Sequence, residues 1–263
     1  MDLQLGGRLA LVSGSTAGIG YAIARTLAQE GARVIVNGRT KASVDEAVDR
    51  IRSETGGMAE GEPGDLSQSE VAQGVIRRRP GVAILVNNLG IFEPKPFEDI
   101  PDEDWRRFFE VNVLSGVRLA RLVLPSMRQA DWGRIIFISS ESAVQIPTEM
   151  VHYGVTKTAQ LAVARGLAES VAGTGITVNS VLPGPTKSRG VTDFVEDMAR
   201  AKGQDFSQVE AEFFEHVRPT SLIRRFATPQ ETASLVAYVA SPLASATTGA
   251  ALRVDGGVVK SVI

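Results

Sequence analysis

The sequence contains no cysteine and only two histidines, His152 and His216, among its 263 residues. The absence of thiols excludes disulfides, cysteine nucleophiles and cysteine-ligated zinc. With so few histidines as other ligands, we expect no metal site, and a zinc-dependent alcohol dehydrogenase mechanism is disfavoured.

An excess of charge of one sign is also lacking, since 28 lysines and arginines oppose 30 aspartates and glutamates. No strong field therefore favours nucleic acid or an anionic membrane surface. No stretch approaches the ~18 apolar residues of a membrane span, and the N-terminus has no signal-peptide pattern. We expect a cytoplasmic protein that acts on small molecules, with no nucleic-acid or membrane partner.

Short aliphatic runs alternate with longer amphipathic stretches, as in residues 8–13 followed by 19–30. This alternation predicts repeated βαβ units. Residues 135–139 and 177–181 are almost wholly apolar, which is typical of parallel strands covered on both faces. The sequence predicts an α/β fold with a doubly wound, Rossmann-like parallel sheet and helices on both faces, in a single domain spanning 1–263.

Two segments depart from this regular pattern. Gly61, Pro63 and Gly64 interrupt the third expected strand, which should therefore be short. From residue 188 to about 225 the periodicity is poorer, and we interpret this segment as a helical insertion that forms a lid over the site. Its apolar residues are interpreted as lid core, with substrate contact as the alternative: Phe194, Met198, Phe206, Phe213 and Phe214.

A glycine-rich turn separates the first expected strand from the first expected helix. Its Gly-x-x-x-Gly-x-Gly spacing places backbone N–H groups at a helix N-terminus, where they favour a pyrophosphate. A tight turn without a ligand is the alternative. The candidate cofactor contacts here are Gly14, Ser15, Thr16, Gly18, Ile19 and Gly20.

The end of the second expected strand indicates which dinucleotide binds. In an NAD enzyme an acidic side chain at this position holds the ribose 2′-hydroxyl. Residues 36–40 contain no Asp or Glu, and Arg39 instead offers a guanidinium that matches a 2′-phosphate. NADP(H) is therefore favoured and NAD(H) is possible, with a solvated arginine as the alternative interpretation of Arg39.

Tyr153 and Lys157 lie four residues apart in an expected helix over 151–171, so they share one face. Taken alone, such a pair is equally typical of two exposed side chains with no catalytic role. Ser140, however, ends a buried strand thirteen residues earlier, and strand ends bind ligands in this fold class. A phenol with a pKa of ~10 needs a nearby cation to exchange its proton at neutral pH. The three residues predict an acid/base centre for hydride transfer to a carbonyl, with Ser140 holding the substrate oxygen.

Several motifs together resemble those of the classical short-chain dehydrogenases/reductases over essentially the whole chain. They are the Gly14–Gly20 loop, Asn87-Asn-Leu-Gly90, Tyr153-Gly-Val-Thr-Lys157 and Asn179-Ser-Val-Leu-Pro-Gly184. The resemblance implies that Asn112 is a fourth catalytic residue, which kinks its helix and holds a water that relays protons to Lys157.

The same resemblance implies further cofactor contacts, with Asp65 and Asn88 on the adenine side and Lys157 on the nicotinamide ribose. The implied set is Asp65, Leu66, Asn88, Gly90, Tyr153, Lys157, Pro183, Gly184, Thr186 and Ser188. It also implies a homo-oligomer, a dimer or homotetramer, that packs through helices 102–127 and 151–171.

The substrate is less constrained by the sequence. Family members that reduce 3-oxoacyl groups on a carrier protein resemble one another in two docking arginines, and Asp131 and Thr174 stand at those positions here. An acidic carrier would meet a negative charge at Asp131, so a small carbonyl or secondary alcohol is favoured over a carrier-bound ketone. Glu149 and His152 are either substrate contacts or exposed polar residues, and His216 is expected at the surface.

A non-catalytic dinucleotide-binding regulator is the alternative from another functional class. It would need the glycine loop but not the tetrad of Asn112, Ser140, Tyr153 and Lys157. Because all four residue types are present, the enzyme is the preferred interpretation.

Overall fold

The computed structural model describes residues 1–188, Arg200 and residues 205–262. Within them, seven parallel strands form one sheet in the order β3-β2-β1-β4-β5-β6-β7. The strands are β1 (Leu9–Val12), β2 (Arg33–Gly38), β3 (Ala59–Pro63), β4 (Ile84–Asn87), β5 (Gly133–Ile138), β6 (Ile176–Pro183) and β7 (Ala251–Val254). The order reverses between β1 and β4, which confirms the predicted doubly wound sheet.

Helices cover both faces of the sheet. They are α1 (Gly18–Gln29), α2 (Lys41–Thr55), α3 (Ser69–Arg78), α4 (Asp102–Phe109), α5 (Ser115–Gln129), α6 (Val151–Ser170), α7 (Phe206–Glu212) and α8 (Pro229–Ala240). Successive strand residues point to opposite faces, so Val12 joins the core beneath α1, α2 and α8, whereas Leu11 joins the core beneath α3, α5 and α6. Both faces of β1 are therefore buried, as its apolar sequence predicts.

The prediction of an interrupted third strand is wrong, because β3 runs through Gly61 to Pro63 with five residues, whereas β1, β4 and β7 have four each. This strand lies at the edge of the sheet. An edge strand pairs on one side only, here with β2. Its glycine and proline residues therefore interrupt fewer ladder hydrogen bonds than they would in a central strand.

The stretch 102–127 is not one continuous helix. A π-helical turn at Glu110–Leu114 separates α4 from α5. Asn112 lies in this turn, where its Oδ1 accepts from Ile91 N at 2.8 Å and its Nδ2 donates to Ile91 O at 3.0 Å. These bonds anchor the turn to the loop after β4. Such single-turn widenings occur mostly at functional sites.

The described part of the segment 188–225 contains α7 and a second π-helical turn, Phe213–Val217. Phe206, Phe213 and Phe214 of this segment pack with Phe226 and Val209 in a small cluster separate from the two sheet cores. Phe194 and Met198 lie outside the described residues. No helix in the described part of the chain is long and apolar enough to cross a membrane.

Candidate active site

A cavity of about 690 Å³ opens at the carboxyl ends of β1, β4, β5 and β6. Its wall includes the loop after β1, residues 139–142 after β5, and Tyr153 and Lys157 from α6. Strands in a parallel sheet end at the same edge, so segments remote in sequence meet there. The fold thus brings the glycine loop and three of the four predicted catalytic side chains to one cavity.

The glycine loop packs too closely for larger residues. A Cβ on Gly20 would lie 2.3 Å from Gly14 O and 2.5 Å from Asn88 Nδ2. Asn88 Nδ2 donates to Ser13 O at 3.0 Å and to Gly14 O at 2.9 Å, so Asn88 braces the loop from the β4 side. This arrangement exposes loop backbone at Gly18, Ile19 and Gly20 to the cavity, as a pyrophosphate would require.

Three predicted cofactor contacts also make structural contacts within the protein. Ser15 Oγ donates to Val12 O at 2.7 Å and accepts from Asn37 N at 2.9 Å, and Ser15 N donates to Asn37 O at 2.8 Å. Neither its hydroxyl nor its amide is free for a cofactor. The Leu66 side chain is 1% exposed in the core, which leaves only its backbone for contact. Asp65 Oδ1 accepts from both the amide and the hydroxyl of Ser67.

Arg39 lies exposed just beyond β2. It forms no hydrogen bond or ion pair with any residue that the structure describes. A Cβ added at Gly38 would lie 2.4 Å from Thr16 Cγ2, which places the end of β2 directly beside the glycine loop. Arg39 is therefore an uncommitted cation next to the predicted phosphate site.

Asn112 is connected to Lys157 through a residue that sequence reasoning missed. Gln160 Nε2 donates to the main-chain oxygen of Asn112 at 2.5 Å, and Lys157 Nζ donates to Gln160 Oε1 at 3.4 Å. Asn112 Nδ2 also donates to Thr156 Oγ1 at 2.9 Å. The spacing of Gln160, three residues after Lys157 on the same helix face, was a usable signal.

The environment of Lys157 differs from the expectation. Its Nζ donates to Ile138 O at 3.0 Å and lies 5.5 Å from the centroid of the Tyr153 ring. Burial lowers the pKa of Lys157 to about 8. Burial also raises the pKa of Tyr153, as does the Glu141 carboxylate, whereas the Ser140 hydrogen bond and the Arg218 charge lower it. Glu141, Ser140 and Arg218 thus act on the Tyr153 pKa in addition to the Lys157 ammonium expected from the sequence, whose effect stays a prediction.

Ser140 contacts both Tyr153 and an acidic neighbour. Its Oγ donates to Glu141 Oε2 at 2.5 Å, and Glu141 is only 4% exposed. Arg218, which follows the π-helical turn after α7, donates from Nε to Glu141 Oε1 at 3.2 Å. Sequence reasoning missed both residues. A glutamate within the run Ser139–Ser142 was a visible signal, but nothing in the sequence connects it to Arg218.

The two interpretations of His152 were both wrong. Its side chain is 0% exposed and does not line the cavity. The ring packs 4.0 Å from the Phe108 ring centroid and 6.0 Å from that of Trp105, because this position of α6 faces α4. Glu149 lines the cavity, and so does His216, which is exposed as predicted but at the cavity wall.

The remaining predicted residues divide between the cavity and the opposite edge of the sheet. Gly90, Pro183, Gly184, Thr186 and Ser188 line the cavity. Asp131 and Thr174 instead precede β5 and β6, at the amino ends of the strands. There Asp131 Oδ1 accepts from Gly175 N at 2.9 Å, so the side chain is held in place between the two loops.

Comparison with known proteins gives concordant matches. Residues 14–259 match the family model described as enoyl-(acyl carrier protein) reductase. The uncharacterized oxidoreductase YvaG of Bacillus subtilis is 47% identical over 100% of both chains. The D-beta-hydroxybutyrate dehydrogenase of Rhizobium meliloti is 34% identical over 95% of this chain and 98% of its own. The L-sorbose reductase of Gluconobacter frateurii, solved with NADPH and L-sorbose, superposes with a TM-score of 0.94 at 30% identity over 100% of both chains.

Proposed function

The chain belongs to the short-chain dehydrogenase/reductase family, and we propose on this basis that it transfers hydride between NADP(H) and a small carbonyl compound or secondary alcohol. Tyr153 acts as the general acid and base. The observation that carries the proposal is the single cavity lined by the glycine loop, Ser140, Tyr153 and Lys157.

The residues present fit a phosphorylated dinucleotide. Gly20 leaves the loop backbone open where a side chain would collide with Gly14 O, and Arg39 is uncommitted at the end of β2. We propose that Gly18, Ile19 and Gly20 hold the pyrophosphate and that Arg39 holds the 2′-phosphate. The L-sorbose reductase relative was solved with NADPH, which supports NADP(H) over NAD(H). When bound, the cofactor supplies or accepts the hydride.

Gly90, Lys157, residues 183–186 and Ser188 line the same cavity as the loop and Tyr153. We assign them to the nicotinamide ribose and carboxamide, with Pro183, Gly184, Thr186 and Ser188 supplying the contacts of the last segment. We assign the adenine side of the cofactor to Asn88, Asp65 and the Leu66 backbone. Asn88 and Asp65 keep their hydrogen bonds to the glycine loop and to Ser67 in this arrangement.

The proton is moved by the chain's own side chains. Ser140 holds the substrate oxygen beside the Tyr153 hydroxyl, for which its single Oγ–H turns away from Glu141 Oε2. The Tyr153 hydroxyl donates its proton when a carbonyl is reduced and accepts one when an alcohol is oxidised. Burial and Glu141 raise the pKa of Tyr153, which keeps the phenol in its protonated form, the form from which reduction of a carbonyl starts. Gln160 links Lys157 to the Asn112 main chain and so extends the hydrogen-bond path away from the reacting atoms.

Reduction of a carrier-bound 3-oxoacyl group is the second candidate. The family-model description and a 33% identical 3-oxoacyl-[acyl-carrier-protein] reductase of Vibrio cholerae favour it. Asp131, however, is fixed by its bond to Gly175 N, so an acidic carrier docking there would meet a negative charge. We therefore place a free small substrate first, and a non-catalytic regulator last.

We further propose that residues 1–263 form one catalytic domain and that the segment 188–225 acts as its lid. Phe213, His216 and Val217 from this segment line the cavity, which supports a covering role. By family resemblance we also propose a cytoplasmic dimer or tetramer that packs through the 102–127 and 151–171 regions.

The function is tested by NADPH consumption against a panel of ketones with wild type and Tyr153→Phe. We expect a loss of kcat of at least ~10³-fold in the variant, because no other group replaces the phenolic proton. NADPH should still bind, because the glycine loop, Arg39 and Lys157 are retained. Tyr238→Phe is the matched control, because Tyr238 is an exposed tyrosine of α8; this variant should retain wild-type rates. Tight NADPH binding without turnover of any ketone by wild type would instead favour the regulator.

A further inference from the structure

Three charged side chains at the substrate end of the cavity form a network. Arg218 lies between two carboxylates, with Nε 3.2 Å from Glu141 Oε1 and Nη1 3.1 Å from Glu149 Oε1. All three residues line the cavity. They come from three separate segments, after β5, before α6 and after α7, so only the fold brings them together. We call Glu141, Arg218 and Glu149 the charge clamp.

The inner carboxylate of the clamp depends on the guanidinium. Glu141 is 4% exposed, and its Oε2 accepts from Ser140 Oγ at 2.5 Å and from Ser142 N at 2.9 Å. The Arg218 side chain is itself only 11% exposed. A buried carboxylate that loses its counter-charge is strongly destabilised. Arg218 is therefore not free to turn toward an anionic substrate.

The clamp carries one net negative charge beside the reacting position, because two carboxylates surround one guanidinium. The other cationic side chain at the described cavity wall is Lys157, whose Nζ donates to Ile138 O. The remaining wall includes apolar side chains, Phe92, Met150, Phe213, Val217 and Phe226, together with Glu212 and His216. An anion held by Ser140 and Tyr153 would thus approach Glu141 with no lysine or arginine of the described wall free to pair with it.

We propose that the charge clamp restricts this site to uncharged carbonyl or alcohol substrates and rejects carboxylates. Like charges brought together in a partly desolvated site oppose binding, whereas a neutral substrate can donate hydroxyl hydrogen bonds to the outer carboxylate of Glu149. This inference rests on the proposed function and specifies the substrate class of the same site.

The test compares methyl acetoacetate with acetoacetate. Both carry the same 3-keto group, but the ester is uncharged and acetoacetate is an anion. With NADPH, we expect wild type to favour the ester by on the order of 100-fold in kcat/KM. Glu141→Gln removes the inner charge and frees Arg218, so the preference should fall by about 10-fold or more, with a smaller fall in Glu149→Gln. Glu169→Gln is the matched control, since that exposed glutamate pairs with Arg165 on α6; it should leave the preference unchanged.

Binding of both compounds to the enzyme with NADPH, followed by cofactor fluorescence, gives a readout that does not need turnover. Tighter binding of the ester, reversed or reduced in Glu141→Gln, supports the clamp even where no turnover occurs and the proposed function fails. Equal binding of ester and acid, binding of neither, or a preference that Glu141→Gln and Glu149→Gln leave unchanged overturns it.

Discussion

Replacing Arg39 with alanine should weaken NADPH binding selectively. Arg39 is exposed and unpaired among the described residues, so its guanidinium is available to a 2′-phosphate. Hydrogen bonds to charged groups contribute about 1.5–3 kcal/mol, and exposure places this contact near the lower end. About 1.5–2 kcal/mol corresponds to a rise of roughly 10–30-fold in the Kd for NADPH. The Kd for NADH should not change, because NADH lacks the 2′-phosphate.

The assay is fluorescence titration of both cofactors with wild type, Arg39→Ala and Lys41→Ala. Lys41 is an exposed cation two residues after Arg39 and is already paired with Asp45. Lys41→Ala therefore controls for the loss of one positive charge near the site without loss of the direct contact. Arg39→Asp should go further and favour NADH. The change belongs at Arg39 rather than Gly38, where an added Cβ would crowd Thr16 Cγ2 at 2.4 Å. A wild type that binds NADH more tightly, or an unchanged cofactor ratio in Arg39→Ala, would refute the reasoning.

Three further predictions concern buried and paired charges. Burial lowers the pKa of Lys157 to about 8, so its ammonium is charged below that pH. The affinity for NADPH should therefore fall as pH rises through about 8. In Lys157→Met the plot of NADPH Kd against pH should show no inflection near 8. Arg134→Met should lower the free energy of unfolding by about 2–4 kcal/mol in urea denaturation, since the fully buried guanidinium donates to three main-chain carbonyls. The control Arg33→Met, at an exposed arginine, should lower it by less than about 0.5 kcal/mol. Equal losses in the two variants would contradict the argument. The Arg225 hydrogen bond lowers the pKa of Glu231 to about 2, so its contribution is complete above pH 4.5 and is lost as pH falls through about 2. Glu231→Gln should cost about 0.5–1 kcal/mol at pH 7 because the pair is exposed, and progressively less as the pH falls below 4.5.

Most of the fold could be predicted from local patterns in the sequence. Apolar runs such as 135–139 predict strands that are covered on both faces, and residues 135–138 of this run lie in β5, a central parallel strand of the sheet. The glycine loop could be predicted from its local spacing, and the close approach of Gly20 to Gly14 O shows why a glycine is needed there. The kink that the resemblance implied at Asn112 is a π-helical turn in the structure, and its anchoring bonds run from Asn112 to a loop 21 residues earlier.

For the site, the sequence by itself determined which chemistry is available: a phenol and an ammonium on one helix face, a hydroxyl at a strand end and a glycine turn before a helix. These depend on spacings within one element or at one junction. Only the tertiary structure decided what surrounds them. It buried His152 against Phe108, committed Ser15 to the sheet, and set Arg218 between Glu141 and Glu149 from 77 and 69 residues away. Burial and long-range charge pairing depend on the packing of distant segments, and no local pattern encodes that packing.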